Sequence, residues 1–434
     1  MTGGRSLSRL RPLVRYGLAV MAPSFVSLAH LVVQLAMLSH VSAAEFGTFA
    51  FLMILVQFGY GLSNALISTP YDVHVSRGSS DEAARRTLLV GNLVFALVVG
   101  LACLGVGGLL GAGSWIAVFA LFATLSMIRW FGRVFNYVRL RPTAAALSDI
   151  VYSLVLIALA MLLVYGDRLD GLSISLAFTV ATLVALASLG GDFLRAQFGG
   201  LRGASLRPYA RIWRDQSRWT VLGVTTTEFT SNIHSYLVTL LAGPARFAPI
   251  SASALFMRPA LLSITALTQL ERPAIGRALA AGDTGTALAT KRRFLLALLC
   301  GWVGTLVLAA LVIRFRPGLV IKPGFDASEI HLALVLLSAI TLIQIWQAPN
   351  SLLLQSLGHF RDLSTASIWS CAVSVVGVLA ILLVLPPVWS LVGIAIGQFV
   401  MAWRLSALVA AWNRGCKGEP AAEPTPAPLP KAAR

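Results

Sequence analysis

Charge is what this 434-residue sequence has least of. Lys, Arg, Asp and Glu together make up 12% of it, about half the ~25% of an ordinary soluble domain. So few charges cannot coat a soluble surface of this size, which excludes a large soluble enzyme. Acids are scarcer than bases, 17 against 34. Cysteine is scarce as well. Cys103, Cys300, Cys371 and Cys416 form no C-x-x-C pair, so neither a disulfide framework nor a zinc site is indicated. The sequence contains no G-x-x-x-x-G-K-S/T and no H-E-x-x-H, which removes a P-loop ATPase and a zinc peptidase. No catalytic residue, metal ligand or cofactor is expected. The ~10-residue alternating segments of a membrane β-barrel are missing too.

Apolar residues are abundant, at 57%. They fall in stretches of about 20, the length a helix needs to cross a hydrocarbon core ~30 Å thick. Twelve spans are expected, at 16–39, 45–68, 87–111, 114–137, 144–166, 172–193, 219–242, 248–270, 294–313, 330–356, 363–386 and 389–413. The first stretch has no small-residue cleavage site behind it and reads as a retained helix. With both termini inside, 28 of the 34 basic residues lie on inner segments and helix ends, five lie on outer loops, and Arg258 lies within a span. This is the bias that cytoplasmic loops carry. The positive charge therefore reports topology and not a nucleic-acid partner, and both termini are expected in the cytoplasm.

The longest basic segment between spans divides the helices six and six. The expected organisation is an N-terminal six-helix lobe (1–193), a basic cytoplasmic linker (194–218), a C-terminal six-helix lobe (219–413) and a disordered tail (414–434) rich in Pro and Ala. The loops SSDEAARRTLL (79–89) and AGDTGTALATKRRFLL (281–296) occupy matching places in the two halves. They fit a parallel duplication. Convergence on acids near helix starts and bases at the membrane face remains the alternative.

Polar side chains at bilayer depth carry the functional information, because a charge there costs at least ~2.5–3.5 kcal/mol. In the seventh span Thr225, Glu228, Asn232 and Ser235 recur at three- and four-residue spacing and share one helix face. That face lines a cavity, coordinates a cation or makes a polar helix contact. Arg258 lies at similar depth in the next span, so Glu228 and Arg258 are candidates for an intramembrane ion pair, structural or functional. Pro259 should kink or break its helix, and Pro23 should bend the first; both are candidate gating positions. Arg129 and Arg133 stand one turn apart, with Asp149 at comparable depth to neutralise one of them; snorkelling to the interface is the alternative. His30 and His234 are packed histidines or proton carriers. Gly105, Gly107, Gly108 and Gly111, like Gly393 and Gly397, suit close helix packing.

Four segments carry a family resemblance. LAMLSHVSAAEFGTFAFLMILVQFGYGLSNALIS (35–68), FGRVFNYVRLRPTAAALSDIVYSLVLIALAMLLV (131–164), SASALFMRPALLSITALTQLERPAIGRALAAGDTGTALATKRR (251–293) and APNSLLLQSLGHFRD (348–362) occur in this order. Together they resemble the polysaccharide exporters and O-antigen flippases of the multidrug/oligosaccharidyl-lipid/polysaccharide (MOP) transporter superfamily. Arg258 falls on that family's usual arginine. The resemblance implies an all-α polytopic membrane protein with about twelve helices in two six-helix lobes forming a V. It implies a flippase that moves a polyprenyl-pyrophosphate-linked oligosaccharide from the cytoplasmic to the outer leaflet of a bacterial inner membrane. The product would feed lipopolysaccharide or exopolysaccharide synthesis, with the pathway's polymerase and glycosyltransferases as implied partners. Arg258, Arg129, Arg133 and Asn232 would line a cationic cavity, and Glu228 and Asp149 would serve coupling or an ion pair. Cation-coupled drug exporters of the same superfamily are the alternative. Their acids on the first and tenth helices have no counterpart well inside those helices here. Peptidoglycan-precursor flippases are similar too, but typically have two more helices.

Overall fold

In the computed structural model, which describes residues 24–76, 82–199, 205–319 and 325–416, the chain is helical and no strand occurs among the described residues. The helices are α1 (Ser24–His40), α2 (Ala43–Val75), α3 (Glu82–Leu109), α4 (Trp115–Val138), α5 (Pro142–Tyr165), α6 (Gly171–Ala187) and α7 (Gly191–Gly199). After the linker come α8 (Arg218–Ala242), α9 (Pro244–Ala280), α10 (Thr284–Phe315), α11 (Ala327–Ser356), α12 (Phe360–Leu382) and α13 (Ser390–Cys416). Nine of them (α2 to α5 and α9 to α13) are long and apolar enough to cross a membrane, and the α6–α7 pair, taken as one bent span, would be a tenth. Helix α1 is apolar but shorter within the described residues, and α8 is long enough but rich in Thr, Ser and Asn. Each of the twelve expected spans thus has its helix. Pro23, Lys417 to Arg434 and the start of the first expected span lie outside the described residues.

The differences from the expected spans have physical reasons. The sixth span ends at Ala187 rather than 193, because Gly190 takes a left-handed φ of 97° and the chain turns by 102° into α7. Helices α3, α9 and α10 run well past their apolar parts and carry Arg85, Arg277 and Lys291 as further helical turns. Pro259 does not break its helix: α9 is continuous over 37 residues through Pro249, Pro259 and Pro273.

The first lobe is packed on phenylalanine. Phe49, Phe119, Phe122 and Phe178 are fully buried and meet edge-on or tilted at 4.9–5.5 Å between centroids, the geometry ring quadrupoles favour. The second lobe uses aliphatic and small residues. At the α12–α13 seam a Cβ on Gly393 would strike the backbone of Gly377 and Val378, and Ser370 donates to the Gly397 carbonyl at 2.7 Å. The glycine pair at 393 and 397 is therefore a close-packing device. Gly107 likewise lies against Ile116, whereas Gly105 and Gly108 face open space.

Helix α2 joins the lobes by packing on α8 and α9. Its opening residues show why an acid, an aromatic and a glycine stand together. Glu45 accepts the Gly171 N–H of α6 at 2.7 Å, which places a carboxylate at a helix N-terminus. Phe46 enters the first-lobe core. Gly47 brings the α2 backbone against the Pro244 carbonyl and the Ala248 methyl of α9, where no side chain fits. Phe51 continues the seam on Tyr236 and Phe247. The lobes are thereby closed at the end carrying the short loops before α2 and α9. At the opposite end α2 winds through a π turn, Asn64–Ser68, and Tyr209 of the linker donates its hydroxyl to the Leu66 carbonyl there at 3.0 Å.

Candidate functional site

The groups that matter stand where the lobes meet. A cavity of about 330 Å³ lies between α1, α2, α8, α9, α11 and α13. Arg258 projects into it from α9, and its Nη2 donates to Gln34 Oε1 of α1 at 2.6 Å. Gln34 is a neutral acceptor, so this bond orients the guanidinium without cancelling its charge. Among the described residues no carboxylate lines this cavity, and Arg258 makes no ion pair. A half-buried arginine held in that way keeps donors free, in the planar fork whose geometry matches carboxylate and phosphate oxygens. His234 and Ser235 share the wall, bonded to each other at 3.2 Å, and His234 Nδ1 is buried without a partner.

The expected Glu228–Arg258 ion pair is not formed. Glu228 Oε1 instead accepts from Asn232 Nδ2 at 3.1 Å and from the Tyr236 hydroxyl at 2.9 Å, all on α8. Residues four and eight apart return to the same helix face, so the carboxylate is satisfied within its own helix. Asn232 borders the Arg258 cavity, while Glu228 borders a different one. The shared face read along α8 is thus divided between two compartments.

Two further cavities continue from the first. One, of about 370 Å³, shares Ser231, Leu261 and Gln344 with it and is walled by Thr230, Gln347, Gln355 and Gln398, with no charged side chain in its lining. The next, of about 870 Å³, shares Gln347, Ser351 and Gln355 and reaches Trp219, Glu228 and Ser364. Trp219 opens α8, Gln355 closes α11 and Ser364 stands in the first turns of α12. The path therefore runs from Arg258 to the end of the bundle opposite the Gly47 seam. Between Arg258 and Glu228 the polar groups in its walls are amides and hydroxyls, set among apolar residues such as Leu261, Ile264 and Leu222; they hydrogen-bond a polar solute without a fixed charge.

Arg129 and Arg133 are elsewhere. Both pair with Asp149 on α5, at 2.6 and 3.0 Å, and Asp149 is completely buried. Arg129 also donates to the Ser148 side chain and carbonyl and lies 4.4 Å over the Tyr152 ring, while Arg133 covers Trp130 at 4.7 Å. This triad is enclosed in the first lobe. It lines none of the three connected cavities, and its arginines do not snorkel. One carboxylate serves both arginines, where the sequence suggested one. His30 is a packed histidine, bonded to Tyr152 at 2.8 Å. Of the proposed site residues the structure brings together Arg258 and Asn232, with Pro259 beside Arg258 in α9; it sets Arg129, Arg133 and Asp149 apart as a group. Sequence reading missed Gln34, Gln57, Tyr236 and Gln398. Single amides inside apolar spans were the available signal.

No protein-family model and no curated protein matches the sequence. Solved structures do match its fold. An inward-facing multidrug-resistance MATE transporter of the MOP superfamily superposes with a TM-score of 0.64 at 14% identity, over 92% of this chain and 99% of that one. The lipid II flippase MurJ, in an inward closed conformation, gives 0.69 at 12% identity, over 91% and 87%. A MOP superfamily transporter from Pyrococcus furiosus, described as having a binding pocket of reversed polarity, gives 0.56 at 15%, over 93% and 96%. The chain has the two-lobed fold of MOP superfamily transporters and flippases.

Proposed function

We propose that the protein is a flippase that moves a polyprenyl-pyrophosphate-linked oligosaccharide from the cytoplasmic to the outer leaflet by alternating access. The observation that carries this reading is the guanidinium of Arg258, oriented by Gln34 in an acid-free cavity between the lobes. A pyrophosphate is drawn to that charge and held by the free donors of the fork. The oligosaccharide then extends into the amide- and hydroxyl-walled path, whose hydrogen bonds replace those the sugar gives up to water. Nothing has to be made or broken covalently. The protein lowers the barrier to carrying a polar head through hydrocarbon and acts as a transporter, not an enzyme.

The basic end of the bundle is the cytoplasmic one by the positive-inside bias, which puts both termini in the cytoplasm. In this state the path opens towards the cytoplasm and the Gly47 seam closes the outer side. A bacterial inner membrane, lipopolysaccharide or exopolysaccharide assembly, and the polymerase and glycosyltransferases of such a pathway follow from this reading. The second reading, a cation-coupled drug exporter, draws on the likeness to the MATE transporter. It sets a cationic drug against Arg258 in a cavity with no acid to receive it, and is the weaker of the two.

Transbilayer movement of a labelled polyprenyl-pyrophosphate oligosaccharide, in liposomes holding the purified protein, tests the proposal. Movement above protein-free liposomes should fall at least tenfold in Arg258→Ala, with folding and insertion intact. Arg258→Lys should retain part of it, since the charge stays but the fork is lost. Absence of lipid movement, together with gradient-driven efflux of a cationic dye, would replace the flippase reading by the exporter one.

A further inference from the structure

A second cavity system lies on the outer flank of the first lobe, apart from the transport path. It is a groove of about 960 Å³ between the π turn of α2, the middle of α3 and the linker segment before α8. Leu66, Ile67, Val94, Val98, Leu206 and Trp213 form its wall. Val98 is 54% exposed and Trp213 41%, so the groove opens sideways, onto the bilayer. The Tyr209 hydroxyl is taken up by the Leu66 carbonyl, which fixes the linker over the π turn. Thr87 of α3 holds the linker at its other end through the Ser205 carbonyl, at 2.9 Å.

One charged side chain lines this apolar groove, Arg214. It belongs to a segment that carries four arginines, at 207, 211, 214 and 218, against one acid, Asp215. Arg211 is paired with Asp215 at 3.8 Å, and Arg218 covers the Trp219 ring at 4.8 Å. Arg214 makes no ion pair among the described residues. Its charge therefore stands at the rim of a hydrocarbon-sized slot, next to an amphipathic Trp of the kind that settles at a membrane–water interface.

We infer that this groove is a selective binding site for an anionic phospholipid of the surrounding leaflet, with an acyl chain between α2, α3 and the linker and its phosphate on Arg214. The charge decides for an anionic headgroup over a zwitterionic one, since basic groups near the interface attract anionic lipid. Position decides against the isoprenoid chain of a transport substrate, because α2 stands between this groove and the cavity of Arg258. A lipid seated here touches both the linker that connects the lobes and the π turn of the helix that joins them.

Trp213 is the reporter. The full-length protein is placed in bilayers containing phosphatidylglycerol or phosphatidylcholine with brominated chains, and the Trp213 contribution is the difference between wild type and Trp213→Phe. Half-maximal quenching of Trp213 should come at about fivefold lower mole fraction of the phosphatidylglycerol, the gain one arginine at an interface provides. Arg214→Gln should abolish that preference and keep the quenching amplitude, while Arg211→Gln, at a residue that does not line the groove, should keep both. Equal quenching by the two lipids would reduce the groove to ordinary lipid contact and overturn the inference. So would absence of Trp213 quenching, or displacement of the brominated lipid by a polyprenyl pyrophosphate and not by unlabelled phosphatidylglycerol.

Discussion

Removing the charge of Asp149 should unfold the first lobe before it disturbs transport. Asp149 is fully buried, and the side chains of Arg129 and Arg133 are only 6% and 11% exposed. Asp149→Asn keeps the shape and deletes the one anion, leaving two guanidiniums at depth with neutral partners. Stranding a buried charge in this way costs ~3–5 kcal/mol, a factor of roughly 150 to 5,000 in the folding equilibrium. Ser148 and the Tyr152 ring still receive Arg129, which places the cost at the lower end. Denaturant titration in detergent, with membrane insertion checked beforehand, measures it. The companion variant Asp149→Leu with Arg129→Met and Arg133→Met replaces the whole triad by apolar groups and should return stability to within ~1 kcal/mol of wild type or better. Asp149→Asn with unchanged stability would refute the reasoning. A companion variant that folds normally but loses gradient-driven transport would also refute it, and would move Asp149 from architecture to coupling.

Other consequences are equally direct. Gly47→Val should prevent the outer seam from closing, because a side chain there meets the Pro244 backbone; cross-linking of cysteines placed across the seam should drop while insertion persists. Glu228→Gln keeps an acceptor oxygen for the Tyr236 hydroxyl and the Asn232 amide, and should leave flipping and its dependence on ion gradients unchanged; altered gradient dependence would make Glu228 a coupling site. Asp170 caps α6 through a reciprocal box with Ser173, and the Ser173 backbone N–H holds its carboxyl below the ordinary aspartate value. Its contribution is therefore complete above the unfolded aspartate pKa and is lost as pH falls through the lower folded value. Asp170→Ala should cost ~1 kcal/mol at neutral pH, read as faster amide exchange in the first turn of α6.

The sequence discloses the membrane architecture because hydrocarbon imposes one length and one polarity on every crossing. That is why the spans and the punctuation at Gly171, Pro142 and Gly243-Pro244 coincide with observed helix ends. It discloses Arg258 for the same reason, as a charge out of place. It is silent on partners. Glu228 and Arg258 share a depth, yet depth does not specify azimuth, and Tyr236, two turns along the same helix, reaches the carboxylate instead. Arg129, Arg133 and Asp149 were legible as a group because all three lie at one level on consecutive helices, but only the packing of α4 on α5 and α6 shows that they face inward. The polar path is written in isolated Gln and Ser residues on five helices, and single amides carry no periodic signal to connect them.

The π turn of α2 sets a phase as well as a bend. One extra residue per turn rotates everything beyond it by about 100° relative to an uninterrupted α-helix. Before the turn α2 offers Met53 and Gln57 to the Arg258 cavity; after it, Tyr71 lies between Phe131 and Phe135 in the first-lobe core. The first segment already faces both lobes, through Phe49 and Phe51; the change of phase re-aims the second segment so that Tyr71 returns to the first-lobe core. A deletion of one residue within 64–68 would leave a perfectly good helix and still misdirect its second half, swinging Tyr71 out of its aromatic slot. The tolerated change is an even exchange of side chains along this stretch, and the forbidden one is a change of count.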